Sequence, residues 1–404
     1  MSATTAKNAA RASGKPKTAA KAHAAGKSKP ILKTEAAVKP PATAPSVGKS
    51  ADDVALTERL RLEVERAVQR SFKAVELLGA PPPAVGRTPK TVLHRRGTLE
   101  LVHYTATASE VYRVPLLFVM APTNKGYILD LAPGQSLIEF LLGRGYDVYL
   151  MDWNAPGDDE RDLKIDNYVL DFVPDCIRRV QHDSGERDVT LVGYCAGGML
   201  SAIYTALHDN GPLKNLVCFT TPVDFSQMNL FRTMADARHF DVDRFVEQVG
   251  VVPGDFVAAG FDALRPASRA AGQLRLWDNL WNDQFVKGFR MMERWGNETL
   301  PLPGGYFRQT VKELLRGNAL HNGTLKIGGR IVDLARITVP LLHVVAQYDH
   351  IVPSACSSPL IERVGSRDKE EVVLPGGHVS IAAGANAVKR MWPKLDSWLE
   401  GRST

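Results

Sequence analysis

A glycine-rich turn around one cysteine is the part of this sequence best suited to chemistry. Residues 189–200 read VTLVGYCAGGML, so an apolar, β-branched run passes into helix-compatible residues at Cys195. Gly193 and Gly197 flank the turn, where a strand and a helix approach each other too closely for Cβ atoms. The turn exposes the thiol at a helix N-terminus, whose positive dipole end favours the thiolate. The pattern predicts a nucleophile for covalent acyl transfer and points to a thioester substrate.

A cysteine nucleophile needs a base, and the base needs an acid that orients it. Asp349 follows the apolar run at residues 341–346, and His378 follows the run at residues 371–374 and two glycines. The carboxyl ends of parallel strands meet at one edge of a sheet, where α/β proteins place their ligands. We therefore predict that Cys195, Asp349 and His378 are the catalytic residues.

Backbone N–H groups must stabilise the oxyanion that forms during acyl transfer. We predict one donor from Ala196, directly after the nucleophile, and a second from Thr123, in the loop after the apolar run at residues 116–120. An ordinary polar turn is the alternative interpretation of that loop. Three further residues are predicted to line the substrate site, namely Asn124, His350 and Trp295.

Short apolar runs alternate with helix-compatible segments along most of the chain. Strands are predicted at residues 99–104, 111–113, 116–120, 147–151, 189–194, 216–220, 341–346 and 371–374. Helices are predicted at residues 54–78, 134–142, 168–181 and 196–208. This alternation indicates a mainly parallel sheet covered by helices on both faces, and the cysteine turn makes it an α/β-hydrolase fold.

The interval from about residue 221 to 338 interrupts that alternation and reads as mostly helical. Its place between the nucleophile and the acid predicts an inserted helical cap over the site. A packed subdomain without a gating role is the alternative.

The charge is divided unevenly along the 404 residues. Residues 1–50 contain ten Lys or Arg and one acid, whereas the rest of the chain carries a net charge of −3. We therefore expect residues 1–53 to be a disordered basic tail rich in Ala, Lys and Pro, and residues 54–404 to be the catalytic domain. The tail either binds a polyanion, such as nucleic acid or a charged granule surface, or is a solubilising leader.

Several classes of protein are disfavoured by what the sequence lacks. Its four cysteines form no CxxC pair, and it contains no Walker loop, GxGxxG fingerprint or HExxH helix. No apolar run reaches membrane-spanning length. We expect a cytoplasmic enzyme that uses neither a metal nor a cofactor.

Six segments together resemble the poly(3-hydroxyalkanoate) synthases, and the resemblance runs through most of residues 54–404. The segments are NKGYILDL at 124–131, DVYLMDW at 147–153, GYCAGG at 193–198, TPVDF at 221–225, YDHIVP at 348–353 and PGGHVS at 375–380. The resemblance implies an enzyme that polymerises (R)-3-hydroxyacyl-CoA into a polyester and works on polyester storage granules in the cytoplasm. It also implies that Cys195 holds the growing chain as a thioester, with His378 as its base and Asp349 assisting the 3-hydroxyl of the substrate.

The resemblance does not decide the partners of the protein, and it leaves two other functions possible. The short body is similar to catalytic subunits that work with a smaller companion subunit, whereas residues 124–131 are similar to longer, self-sufficient synthases. A homodimer is implied in either case. Two other functions remain as alternatives: an esterase or polyester depolymerase that uses the same residues on water, and a non-catalytic protein bound to granules or to the nucleoid.

Overall fold

The computed structural model describes residues 51–208 and 211–404 of the chain. Residues 1–50, where the sequence predicts a basic tail, lie outside the described residues. Contacts divide the chain into two units, Met1–Arg59 and Leu60–Thr404, and the sheet and the candidate site belong to the second. No helix in the described ranges is long and apolar enough to cross a membrane.

The described residues form strands and helices that alternate along most of the second unit. The strands are β1 Lys90–Arg96, β2 Leu99–Tyr104, β3 Leu116–Val119, β4 Val148–Trp153, β5 Val189–Tyr194, β6 Leu213–Phe219, β7 Val251–Val252, β8 Leu302–Pro303, β9 Lys326–Ile327, β10 Arg330–Ile331, β11 Leu341–Ala346 and β12 Lys369–Leu374. The α-helices are α1 Ala51–Leu78, α2 Leu137–Gly143, α3 Ile165–Asn167, α4 Val173–Ser184, α5 Ala196–Leu207, α6 Asn229–Met234, α7 Val242–Val249, α8 Gly254–Ala263, α9 Ser268–Asp278, α10 Asp283–Asn297, α11 Gly304–Gln309, α12 Ser354–Ser357, α13 Pro359–Arg363 and α14 Trp392–Glu400.

A sheet of eight strands, in the order β1-β2-β4-β3-β5-β6-β11-β12, forms the centre of the described fold. The β1–β2 and β2–β4 pairs are antiparallel, and the remaining neighbours are parallel. Every residue of β3, β5 and β11 is buried, as expected for parallel strands covered on both faces. The mainly parallel sheet predicted from the sequence is confirmed.

The strand predicted at residues 111–113 is wrong, because this segment forms no ladder in the structure. Its residues make separate contacts instead. The Tyr112 N–H donates to the Gly145 carbonyl over 2.7 Å, and the Arg113 guanidinium pairs with Glu186 and Asp188. Pro115 follows and has no N–H to donate to a neighbouring strand. The antiparallel edge strand β1 has no counterpart in the sequence prediction, because most of its side chains are exposed and leave no apolar pattern.

The interval predicted as a cap, residues 221–338, contains α6 to α11 and two two-stranded ribbons, β7–β8 and β9–β10. The chain enters it through the N–H groups of Val223 and Asp224, which both donate to the Cys356 carbonyl. The Asn318 side chain, near the end of the helical part, donates to the Asp224 carboxylate over 2.8 Å. The start and the end of the helical segment are therefore fastened to each other.

An ion-pair cluster joins β2, the start of β4 and α4 at the surface of the sheet. The His103 ring lies 2.7 Å from Asp147 and 3.0 Å from Asp183, and it stacks on Tyr149 with 4.1 Å between ring centroids. Burial lowers the pKa of His103, but its bonds to Asp147 and Asp183 outweigh burial and raise that pKa above its ordinary value.

The direction of this pKa shift predicts a pH dependence of stability. A pKa raised in the folded state gives stability that is complete below the unfolded-state value of about 6.5 and is lost as pH rises through the folded value. Replacing His103→Gln should therefore flatten the fall in melting temperature above pH 6.5, measured by circular dichroism from pH 5 to 9. The exposed His239→Gln variant is the control, and an identical pH profile for His103→Gln and wild type would contradict the prediction.

Candidate active site

The turn between β5 and α5 holds Cys195 in a strained backbone conformation. Cys195 has φ 57° and ψ −123°, which side-chain-bearing residues rarely adopt and which costs about 1–3 kcal/mol. A Cβ on Gly193 would overlap the backbone of Gly198, and a Cβ on Gly197 would overlap the Val119 carbonyl. The predicted need for glycine at positions 193 and 197 thus has a direct steric cause, and Gly198 is a third such position that the sequence analysis missed.

The base and the acid meet as the sequence order predicts. The Nδ1 atom of His378 lies 2.6 Å from Oδ2 of Asp349. Oδ1 of the same carboxylate accepts the N–H groups of Ile351 and Val352 at 2.8 and 2.9 Å. The Asp349 side chain has no exposed surface and that of His378 is 6% exposed. Both carboxylate oxygens of Asp349 therefore have partners within the protein, and the bond from Oδ2 fixes the orientation of the imidazole.

Opposing effects set the charge state of His378. Burial lowers its pKa, but the negative charges of Cys195 and Asp349, with hydrogen bonds to both side chains, raise it to about 10. The thiolate is the nucleophilic form of cysteine, and an imidazolium can pair with it. The three predicted catalytic side chains therefore form one electrostatic unit.

Tyr194 links His378 to the turn between β5 and α5. The sequence analysis did not select this residue. Its hydroxyl donates to the His378 carbonyl over 3.0 Å, and the two rings lie 5.3 Å apart. Burial, with the charges of Cys195 and Asp349, raises the pKa of Tyr194 well above its usual range, so the phenol stays neutral. Its place directly before Cys195 is the only sequence signal that could have marked it.

The other three cysteines differ from Cys195 in exposure. All four are free thiols; Cys176, Cys218 and Cys356 are buried, whereas Cys195 is partly exposed. Burial raises the pKa of Cys218 and of Cys356 to about 12, and it raises that of Cys176 further. Buried thiols with raised pKa values are poor nucleophiles, which leaves Cys195 as the candidate.

The predicted oxyanion donors come from the residue after Cys195 and from the loop after β3. Ala196 is the first residue of α5, where an N–H group has no acceptor within the helix. Thr123 accepts the Leu300 N–H at its carbonyl over 2.8 Å, and its hydroxyl donates to Asn124. Both Thr123 and Cys195 line the same cavity. The assignment of the two N–H groups as oxyanion donors stays a prediction.

A cavity of about 400 Å³ opens above Cys195 and His378. Its floor comes from the ends of the strands, and its walls come from α8, α9 and α10 of the interval predicted as a cap. Most of the exposed surface of the cavity lining is apolar, and its apolar side chains include Met120, Phe261, Phe289, Met292 and Trp295. A cavity of this size and polarity can hold an acyl chain close to Cys195.

Two of the three residues predicted to line the substrate site lie in the lining of this cavity. Asn124 and Trp295 face the cavity, and the Trp295 indole also donates to the Lys125 carbonyl over 2.9 Å. His350 is not part of the lining; its buried Nδ1 has no partner among the described residues. Burial, with Arg265 nearby, lowers the pKa of His350. It follows Asp349 in the chain but is not among the residues that line this cavity, so its contact with substrate stays a prediction.

No group of three or more His, Cys, Asp or Glu side chains is arranged to hold a metal ion in residues 51–208 and 211–404. The fold and the site define an enzyme of the α/β-hydrolase class with a cysteine in the nucleophile position. A family model described as alpha/beta hydrolase fold matches residues 126–385. A second model, described as poly-beta-hydroxybutyrate polymerase (PhaC) N-terminus, matches residues 77–141.

Curated relatives narrow the class to one family. The poly(3-hydroxyalkanoate) polymerase subunit PhaC of Allochromatium vinosum is 35% identical over 329 residues, which cover 81% of this chain and 92% of the relative. The subunit PhaC of Haloferax mediterranei is 32% identical over 322 residues, which cover 79% of this chain but 65% of the relative. The chain belongs to the poly(3-hydroxyalkanoate) polymerase family, a family of acyltransferases.

The charge coupling within the site can be measured directly. Replacing Cys195→Ala removes one of the two negative charges that raise the pKa of His378 while burial remains, so this pKa should fall clearly below about 10. An NMR titration of the His378 ring measures the change. Cys176→Ala, in α4, is the matched control and should leave the titration of His378 as in the wild type. A His378 pKa that is the same in both variants would rule out the coupling.

Proposed function

We propose that this chain polymerises (R)-3-hydroxyacyl-CoA into poly(3-hydroxyalkanoate) through an acyl-Cys195 intermediate and releases CoA. The observation that carries the proposal is the position of Cys195. It lies in the turn between β5 and α5, beside His378 and at the base of an apolar cavity, in a chain of this family. The steps below follow from the contacts of these side chains.

Acylation begins with the thiolate of Cys195 and the imidazolium of His378. The sulfur attacks the thioester carbonyl of the substrate, and the oxyanion is held by the Ala196 N–H and a donor near Thr123. When the tetrahedral intermediate collapses, the bond to the sulfur of CoA breaks, and CoA leaves as the thiol with the proton of His378. The product is an acyl thioester on Cys195.

Acylation also changes the base. Once Cys195 carries an acyl group, the negative charge that raised the pKa of His378 is gone, while burial still lowers that pKa. The neutral imidazole can then take the proton of the 3-hydroxyl of the next 3-hydroxyacyl-CoA. That hydroxyl attacks the acyl-cysteine, an ester bond forms, and Cys195 is released. Attack of Cys195 on the thioester end of the lengthened chain expels CoA and completes one cycle.

Asp349 has a different role in this scheme from the one that the family resemblance implied. Its Oδ1 accepts two backbone N–H groups, its Oδ2 lies against His378, and its side chain is fully buried. These contacts direct the carboxylate towards His378 and the backbone, and its burial keeps it out of the cavity lining. We therefore assign Asp349 to orientation of His378 and stabilisation of the imidazolium, and His378 alone to proton transfer.

The proposal includes the surroundings of the enzyme. The substrate and the growing polyester are its partners, and we place the enzyme in the cytoplasm on the granules that its insoluble product forms. A homodimer and a smaller companion subunit belong to the proposal as partners suggested by the resemblance. Contact of the basic tail with nucleic acid is a hypothesis about residues outside the described ranges.

Incubation with 3-hydroxybutyryl-CoA separates the polymerase from a hydrolase with the same catalytic residues. Wild-type protein should release CoA and form insoluble polymer, measured by a thiol-reactive dye and by chromatography of the product. Cys195→Ala should do neither, because no other cysteine faces the cavity. Release of CoA with free 3-hydroxybutyrate and no polymer would establish the hydrolase instead, and polymer formation by Cys195→Ala would refute the mechanism.

The role of Asp349 is tested by Asp349→Asn, which keeps Oδ1 for the two backbone N–H groups and puts an amide nitrogen in place of Oδ2. Nδ1 of His378 then faces a donor, so the wrong tautomer is favoured and kcat should fall about 10²–10⁴-fold. The KM for the substrate should change little, because Asp349 does not line the cavity. A large rise in KM with kcat unchanged would indicate direct substrate contact instead.

A further inference from the structure

A second group of hydrogen-bonded polar side chains lies within the sheet, shortly before Asp349 in the chain. His343 belongs to β11, and its side chain is fully buried. Its Nδ1 lies 2.9 Å from Oε2 of Glu371, the residue paired with it on β12. Its Nε2 lies 3.0 Å from Oγ of Ser357, the last residue of α12. A buried imidazole is costly unless its nitrogens have partners, and here both have one.

The partners of His343 decide which nitrogen carries the proton in the neutral ring. A carboxylate only accepts hydrogen bonds, so Nδ1 donates to Glu371 and Nε2 accepts the hydroxyl proton of Ser357. The order of these groups is that of a Ser-His-acid triad. Ser357, however, has no exposed surface and is not part of the lining of the cavity above Cys195. The bonds therefore serve to hold α12 against the sheet.

Helix α12 needs such support because it is short. It spans only Ser354–Ser357, and a single helical turn is not stable without tertiary contacts. The hydroxyl of the next residue, Ser358, donates to Oε1 of Glu371 over 3.3 Å, so both oxygens of this carboxylate are used. His343 and Glu371 thus attach α12 to β11 and β12.

The loop that holds Asp349 leads directly into α12. Oδ1 of Asp349 accepts two backbone N–H groups of this loop at 2.8 and 2.9 Å. Pro353 ends the loop, and its carbonyl accepts the N–H groups of Cys356 and Ser357 at 2.7 and 3.2 Å. The carboxylate of Asp349 is therefore held by a loop whose other end is fixed to the sheet through His343.

We propose that His343 is a positioning residue for catalysis, which keeps Asp349 in place against His378 by holding α12 on the sheet. The inference rests on the proposed function, because it assigns a part in that reaction to a residue outside the cavity lining. Asp349 follows β11 and His378 follows β12, so the 2.6 Å contact between them depends on the relative positions of two loops. The bond from His343 to Glu371 joins these same two strands.

Helix α12 also supports the start of the interval predicted as a cap, through the Cys356 carbonyl, which accepts the Asp224 N–H over 2.9 Å. A displacement of α12 can therefore act on substrate binding or on the chemical step. The start of the cap interval has further support from Asn318, whose amide donates to the Asp224 carboxylate. We therefore expect the loop at Asp349 to be the more sensitive of the two, so that kcat changes and KM does not.

The test compares variants of the full-length protein by NMR titration of the His378 ring and by release of CoA from 3-hydroxybutyryl-CoA. Ser357→Ala removes the hydroxyl that binds α12 to His343, and it is milder than loss of the ring, which would open a buried gap. The pKa of His378 should fall below its wild-type value, because Asp349 is then held less closely. For the same reason kcat should fall about tenfold or more, with KM within about twofold of the wild type.

Ser366→Ala is the matched control, because it also removes a buried hydroxyl, one that donates to two backbone carbonyls at 3.1 and 2.6 Å. It should lower the melting temperature about as much as Ser357→Ala does, and leave kcat and the His378 titration as in the wild type. Glu371→Gln keeps an oxygen that accepts the Nδ1 proton of His343, so it should keep most of the kcat that Glu371→Ala loses.

Any one of four results would overturn the proposal. The first is a kcat or a His378 titration in Ser357→Ala that matches the wild type. The second is an equal loss of kcat in Ser366→Ala, which would trace the effect to stability alone. The third is a rise in KM with kcat unchanged in Ser357→Ala, and the fourth is an equal loss of kcat in Glu371→Gln and Glu371→Ala. The titration needs no substrate, so failure of the polymerase proposal would show separately, as absence of CoA release and polymer from the wild type.

Discussion

The close approach of α5 to the strands β3 and β5 is the constraint on which the rest of the site depends. A Cβ at Gly193 or Gly197 would collide with backbone atoms, so only glycine lets the helix begin directly behind the strand. That contact forces Cys195 into its strained backbone conformation and directs its thiol into the cavity. The same geometry leaves the Ala196 N–H at the helix start, free of an acceptor within the helix. The same steric contact therefore positions the Cys195 thiol and leaves the adjacent Ala196 N–H available as the predicted oxyanion donor.

Because the site is buried, the charges of its side chains strongly affect the pKa values of their neighbours. Asp349 is enclosed and bound to two backbone N–H groups, so its position is set by the protein, and His378 is held between it and Cys195. In such surroundings a change of one charge shifts a neighbouring pKa far more than it would in water. In the proposed mechanism acylation of Cys195 is such a change, so the first step would prepare His378 for the second. A serine in this position would supply no comparable charge before the reaction.

That Cys195, Asp349 and His378 come together could be predicted from sequence because the signals are local, whereas the cavity walls could not be predicted. Glycines around Cys195 and the strand-end positions of Asp349 and His378 are set by backbone geometry that every chain of this fold must satisfy. The placement of Phe289 or Met292 depends on how α8, α9 and α10 cross, and no local pattern fixes that. His350 shows the limit in one residue, because sequence adjacency to Asp349 says nothing about which way its ring turns. The sequence analysis also missed the edge strand β1. Most of its side chains are exposed, so it lacks the apolar alternation on which strand prediction relies.

Hydrogen bonds across the cavity rim explain why residues far apart in the sequence act together. The Lys125 ammonium lies 3.3 Å from the carboxylate of Asp152 in β4, and the Lys125 carbonyl accepts a hydrogen bond from the Trp295 indole of α10. The adjacent Thr123 carbonyl accepts the Leu300 N–H. The loop that supplies one side of the cavity is therefore fastened to the sheet on one side and to α10 on the other. Since Asp283 of α10 also pairs with Lys73 of α1, a single helix supports both the mouth of the site and α1.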